Sequence, residues 1–268
     1  MYFLQKCKAK NKDTIIQMLT DTHCHLFYDE LQNNLPAVLQ RAHNLGVGRF
    51  ICVATNLKDS RKCLQLSIDN KNIFASAGIH PHDAEKAPVN FVEQIHELMK
   101  NKTMVAVGEM GLDYFKSLSN PKIQKKVFQE QMQIATELNK PIIFHNRDAD
   151  NDVISILKDF PNVRGVAHCF SSTLNTAKSF MDLGYFISFS GNLTFKNSHL
   201  PSVAKEIPLN RLLVETDSPY LSPDPYRGKI NEPGRVRFVA EKLAEIHSVP
   251  YDRIVEVTSS NANNIFKL

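Results

Sequence analysis

Along this chain the spacing of apolar residues switches between a strand period and a helix period, and it does so eight times. Apolar runs that read as strands lie just before His23 and at residues 49–54, 73–80, 104–108, 141–144, 164–167, 185–191 and 212–216. Segments with helical spacing separate them. One is opened by Asn120 as cap and Pro121 in its first turn, with Val127, Ile134 and Leu138 beside Phe128, Met132 and Ala135. Another carries Val236, Val239, Ala240, Leu243 and Ala244 behind Pro233. Eight such units predict an α/β fold, a (β/α)₈ TIM barrel. That fold usually spans about 250 residues and collects its chemistry at the C-terminal ends of its strands.

Metal-ligand residue types gather where these runs stop. His23 and His25 are two apart, so on an extended chain both imidazoles face the same way and can take one ion, while Cys24 between them points away. Glu109, His145, His168 and Asp217 each follow a further run. A lone H-x-H pair is more often a packed or surface pair than a metal site. Structural histidines, however, have no reason to favour one end of every strand. The nitrogen and oxygen donors suit hard or borderline divalent ions, with Mg²⁺, Mn²⁺ and Zn²⁺ all compatible.

Composition sets the outer limits. The 268 residues can bury one large core, and no Pro/Gly-rich or low-complexity linker interrupts the alternation, so residues 18–268 are expected to form one domain. No apolar stretch approaches the roughly 20 residues needed to span a bilayer. Five cysteines without C-x-x-C spacing argue against both a disulfide framework and a thiolate zinc site, which leads to an expected cytoplasmic location. The excess of 32 Lys and Arg over 28 Asp and Glu gives +4, too little to diagnose a nucleic-acid partner from bulk charge. Residues 1–17, with Lys6, Lys8, Lys10 and Lys12, read as a variable N-terminal extension rather than a targeting peptide; a basic arm touching nucleic acid is the sharper alternative.

Several blocks carry a resemblance. Thr22-His23-Cys24-His25-Leu26, Gly78-Ile79-His80-Pro81-His82, Gly108-Glu109-Met110-Gly111-Leu112-Asp113-Tyr114, His168-Cys169-Phe170-Ser171, Glu215-Thr216-Asp217-Ser218-Pro219-Tyr220-Leu221 and Arg227-Gly228-Lys229-Ile230-Asn231-Glu232-Pro233 stand in the order seen in the TatD family of metal-dependent deoxyribonucleases. The chain resembles that family from Met18 to its end. Phe144, where an aliphatic residue is frequent, and Gly234, where Ala is common, are small departures that touch no ligand. The resemblance implies a metallo-dependent hydrolase barrel that cuts DNA as a 3′→5′ exonuclease on single-stranded ends, through a metal-activated water. It also implies two divalent ions: His23, His25 and Asp217 holding one, His145 and His168 the other, with Glu109 bridging. Glu109 and Asp217 are then the catalytic carboxylates, Asp217 taking the proton from water. A monomer is expected.

Positioning of substrate calls for donors that bind no metal. Arg147, two residues past His145, and Arg227, in the loop after the eighth run, are candidates for holding phosphate oxygens; for Lys229 a solvated loop charge is an equal reading. His80 is read as a substrate contact, with His82 either joining it or capping the loop. Tyr114 and Phe115 suit base stacking, although core packing is the commoner use of such aromatics. Glu215, one pleat before Asp217, either orients a ligand or is a charge paired inside the barrel. His43, His96, His199 and His247 read as ordinary surface or packing histidines, and Lys122, Lys125 and Lys126 as a solvated helix face. Two rivals stand beside the nuclease. One is a barrel hydrolase acting on an amide, lactone or small phosphoester, disfavoured because Glu109 rather than a lysine ends the fourth run. The other is a non-enzymatic metal-dependent nucleic-acid-binding protein, disfavoured by six intact ligand candidates.

Overall fold

A computed structural model describes residues 18–268. The extension at residues 1–17, and with it the question of a basic arm, lies outside the described residues. Eight strands run in chain order and pair in parallel with their sequence neighbours: β1 (Leu19–Cys24), β2 (Val47–Cys52), β3 (Ile73–Ala77), β4 (Met104–Asp113), β5 (Ile142–Arg147), β6 (Gly165–Ala167), β7 (Phe186–Phe189) and β8 (Leu212–Val214). Closure is made past the end of β8, where Asp217 N donates to His23 O at 2.9 Å and His25 N donates to Ser218 O at 2.8 Å. The expected (β/α)₈ barrel is the observed fold.

Strand alternation sorts the side chains into two layers. Phe50, Cys52, Ile142, Phe144, Leu212 and Val214 point outward into the apolar layer under the helices. Ile51, Val105, Ile143, Val166 and Leu213 point the other way and meet Ala262 and Phe266 of the C-terminal helix, Tyr251–Phe266. One pleat further along the same inward faces stand His145 after Ile143, His168 after Val166 and Glu215 after Leu213. The barrel interior is thus apolar at one end and lined with ligand-type groups at the other.

Strand β4 departs from the expectation that Glu109 follows the strand's end. It runs on to Asp113, and Val107 pairs with Ile142 while Met110 pairs with Phe144, so three steps on β4 match two on β5. This bulge places the buried Glu109 inside the strand and turns it to the interior. Glycine permits it. Gly108 has φ 147°, and a Cβ there would lie 2.4 Å from the Ile143 carbonyl oxygen; at Gly111, φ 128°, a Cβ would lie 2.0 Å from that of His145.

The helix Pro121–Leu138 starts as expected, with the Asn120 side chain accepting from Lys122 N and proline in the first turn. Its buried face carries two glutamines among the apolar residues. Gln124 accepts from Asp113 N at 2.9 Å and donates to Ser119 O at 2.7 Å; Gln131 accepts from Ile79 N at 2.7 Å and donates to Ile79 O at 3.0 Å. Seven residues apart, they lie on one helix face and fix the backbones that carry Asp113 and His80.

Candidate metal centre

Six ligand-type side chains converge at the C-terminal mouth of the barrel. His23 stands on β1 and His25 just past it, Glu109 on the β4 bulge, His145 on β5, His168 past β6 and Asp217 past β8. His23 and His25 lie side by side: their ring centroids are 4.9 Å apart, and their Nε2 atoms lie 3.7 and 3.3 Å from Asp217 Oδ1. Cys24 turns away and donates its Sγ–H to Ile51 O at 3.4 Å.

Glu109 is the hub. Its Oε1 lies 2.8 Å from His168 Nε2, 3.3 Å from His80 Nε2 and 3.5 Å from His145 Nδ1, while Oε2 lies 3.4 Å from His23 Nε2. Three groups result, each with donor atoms within 4.8 Å of one another: His23, His25 and Asp217; His23, Glu109 and His168; and His80, Glu109 and His145. In these groups His145 and His168 each join Glu109 but not each other. His168 stacks on His23 at 3.9 Å, while His145 leans toward His80 and Glu109, so Glu109 rather than proximity links His145 to His168.

Hydrogen bonds behind these rings select which nitrogen faces inward. The His25 Nδ1–H donates to Val53 O at 2.8 Å, leaving Nε2 toward Asp217. His168 Nδ1 lies 3.2 Å from Glu215 Oε1, which also accepts from Cys169 N at 2.7 Å. Glu215 therefore orients His168 rather than Asp217. Asp113 Oδ2 sits 3.0 Å from His145 Nε2 and 2.9 Å from His82 Nε2, turning His145 Nδ1 toward Glu109. His80 Nδ1 accepts from His82 N at 3.1 Å, so its proton sits on Nε2 and it meets Glu109 as a donor.

The charges balance within this set. Burial alone would raise the Glu109 carboxyl, but His168, His80 and His145 hold it well below the usual carboxylate range. Burial would lower His25, yet Asp217 carries it up to about 9; burial prevails at His80, pushing it down to about 4. The donor set fits divalent cations on a further observation. Both ring nitrogens of His23, and Nε2 of His168, are buried without a hydrogen-bond partner among the described residues, although Glu109 carboxylate oxygens lie 3.4 Å from His23 Nε2 and 2.8 Å from His168 Nε2. Buried polar atoms rarely go unpaired, and lone pairs facing carboxylates call for a cation or proton between them.

Around the cluster lies a cavity of about 720 Å³, whose wall includes Tyr28, His80, Asn146, Arg147, Asn192 and Tyr220. Of the residues expected to contact substrate, His80 and Arg147 line this cavity. Arg227 does not line this cavity; its guanidinium lies 3.6 Å over the Phe195 ring and donates to Ser222 O at 3.2 Å. Phe115 is 57% exposed rather than core, whereas Tyr114 packs partly against the core and its hydroxyl donates to Asp152 at 2.7 Å. Of the presumed helix-face lysines, Lys125 pairs with Asp152 at 2.6 Å. His96 pairs with Glu137 away from the cluster.

Two carboxylates escaped sequence reasoning. Asp113 carries no signal in the sequence beyond its place four residues after Glu109. Asp21, fully buried, accepts from Thr216 N at 2.9 Å and from the Thr216 hydroxyl at 2.6 Å, tying β1 to the segment that carries Asp217.

A closed eight-stranded barrel with histidines and carboxylates clustered at its C-terminal mouth defines a metal-dependent hydrolase. The family model described as TatD related DNase matches residues 20–267, and the chain belongs to that family. It is 41% identical over 94% of its length to the whole of an uncharacterized metal-dependent hydrolase, YabD, of Bacillus subtilis. It is 31% identical over 93% of its length to the whole of the 3′-5′ ssDNA/RNA exonuclease TatD of Edwardsiella piscicida. The crystal structure of the TatD homologue YjjV from Escherichia coli superposes with a TM-score of 0.90, at 31% identity, covering 95% of this chain and all of that one.

Proposed function

We propose that this chain is a metal-dependent exonuclease that removes nucleotides from the 3′ ends of single-stranded DNA. The observation that carries the reading is the convergence of His23, His25, Glu109, His145, His168 and Asp217 on one pocket, with buried ring nitrogens left unpaired beside carboxylates. The name of the Edwardsiella relative supports the polarity and the strand preference. In this reading His23, His25 and Asp217 would hold one divalent ion and His145 and His168 the other, with Glu109 available to both. When bound, such a pair acidifies water and stabilises charge on the attacking and leaving oxygens of an in-line displacement.

The remaining work falls to side chains. Asp217, aligned by His25 and open to the cavity, accepts the proton from the attacking water. His80 offers its Nε2–H to a phosphate oxygen. Arg147, whose guanidinium makes no hydrogen bond or ion pair among the described residues, offers it to the strand's backbone. Arg227, on the surface beyond the cavity, engages a phosphate further along the strand.

The test is digestion of end-labelled oligonucleotides by the metal-free protein with Mg²⁺, Mn²⁺ or Zn²⁺ added in turn. Stepwise loss of the 3′ label with at least one ion, abolished by chelation, is expected. Hydrolysis of a lactone or amide without cleavage of any oligonucleotide would overturn the reading.

A further inference from the structure

Next to the metal cavity is a second recess, of about 760 Å³, whose wall the chemistry described so far leaves mostly unused. The two share Asn146, Arg147 and Ser171, so a chain leaving the metal cluster on the β5 side passes directly into it. Its volume falls within the range of small-molecule sites, about 300–1,000 Å³.

One wall is an aromatic plate. Phe115 is held with Arg147 stacked on it, the guanidinium carbon 3.9 Å from the ring centroid. The plate is preorganised: Tyr114 N donates to Arg147 O at 2.9 Å, and the Tyr114 hydroxyl is fixed by Asp152, itself paired with Lys125. Exposing a large ring at such a place costs hydration free energy and brings no core packing.

The floor is selective in hydrogen bonding. Asp150 accepts from Asn146 Nδ2 at 2.6 Å and from Thr176 Oγ1 at 2.6 Å. An ionised carboxylate only accepts, so this bond fixes the Asn146 amide with Oδ1 turned away from Asp150. That oxygen is buried and has no hydrogen-bond partner among the described residues. Asp148, exposed beside Arg147, likewise makes no hydrogen bond or ion pair among them. The recess therefore presents a flat apolar face, a guanidinium without a hydrogen-bond partner at its entrance, and the carboxylate acceptors of Asp148, Asp150 and Asp152 in its wall. The acceptors would repel a phosphate inside, which assigns the phosphate to Arg147 at the rim and a neutral, donor-bearing ring to the interior.

We propose that this recess is a nucleotide subsite: it takes the base next to the scissile phosphate on the retained strand, stacked against Phe115, with its backbone phosphate on Arg147 and a ring or exocyclic N–H donated to the exposed Asp148 carboxylate. The assignment rests on the nuclease reading above. The retained strand is the occupant because the recess opens to solvent, where the rest of a long chain must emerge.

A cycle between protein and substrate tests it. Wild type and F115A are compared on an oligonucleotide and on the same oligonucleotide lacking the base at that one position. In wild type, removing the base lowers kcat/KM about 10-fold, within the span of base–aromatic stacking. F115A lowers it about as much on the complete substrate, chiefly through KM. Combining the two costs no more than either alone, because they remove one contact. F115L, which keeps apolar bulk but no ring, behaves as F115A and covers the case in which the alanine variant folds poorly. Additive losses, or a wild type indifferent to the missing base, overturn the subsite while leaving the nuclease standing. A wild type that cuts no oligonucleotide overturns both.

Discussion

Oδ2 of Asp113 lies 3.0 Å from Nε2 of His145, and this contact decides which nitrogen of His145 faces Glu109. The same oxygen holds His82 at 2.9 Å, so one buried carboxylate orders two rings. Removing an outer partner of a ligand histidine typically weakens metal binding about 10–100-fold. D113A is therefore expected to bind Mn²⁺ or Zn²⁺ more weakly by that factor while remaining folded. Calorimetric titration of the metal-free protein measures it, and wild-type affinity in D113A would remove Asp113 from this role.

Asp217 is placed to separate binding from turnover. An amide at this position still reaches the metal through its oxygen, but it cannot accept a proton. D217N should keep its fold and most of its affinity for oligonucleotide, while turnover drops about 10²–10⁴-fold, as general-base loss does. Steady-state kinetics beside a binding titration gives the split. Near-normal turnover would leave Asp217 a ligand only.

Arg147 tests whether phosphate recognition is local. Overall charge is only +4, so backbone binding should rest on a few cations at the mouth. In R147A, binding to oligonucleotides should weaken across sequences. The slope of log affinity against log salt should shrink by roughly one per lost phosphate contact, and fluorescence anisotropy over a salt series reads both. An unchanged slope would place the phosphate elsewhere.

Phe144, on the outward face of β5, packs edge-on to Phe180 at 5.1 Å and to Tyr185 at 5.4 Å, all three fully buried or nearly so. F144A should lower unfolding free energy by about 3–5 kcal/mol through lost burial and the cavity left behind. A urea titration measures this, and F144L should recover a large part of the loss. A cost under about 1 kcal/mol would mean that the site collapses freely.

Acid stability should carry a mark of Asp150. Burial would raise its carboxyl, but hydrogen bonds from Ser172, Thr176 and Asn146 hold it below the ordinary range. A folded-state pKa below the unfolded one adds stability above the unfolded value, and that stability disappears as pH falls through the folded value. D150N should accordingly be less stable than wild type near neutrality, with the gap constant from about pH 7 to about pH 5 and closing as pH falls below about 4. Thermal melts from about pH 7 down to about pH 3 test it; a gap that does not close would assign the loss to packing.

The sequence alone determined the barrel and most of its centre. Strand and helix periods are local properties, and eight alternations of that length leave few architectures that bury every apolar face. Because barrel chemistry collects at strand ends, His23, His25, His145, His168 and Asp217 were legible as a set before any distance was known. What only the tertiary structure decided depends on contacts between segments far apart in the chain. The β4 bulge that turns Glu109 inward is a matter of register against β5, and register is a property of two strands. Whether Glu215 serves His168 or Asp217, and that Asp113 locks His145, follow from hydrogen bonds reaching between different loops. Phe115 and Arg227 show the same limit from the surface. Residue type gave a ring and a cation, but which side of the mouth each faces was set by the packing of the loops around it.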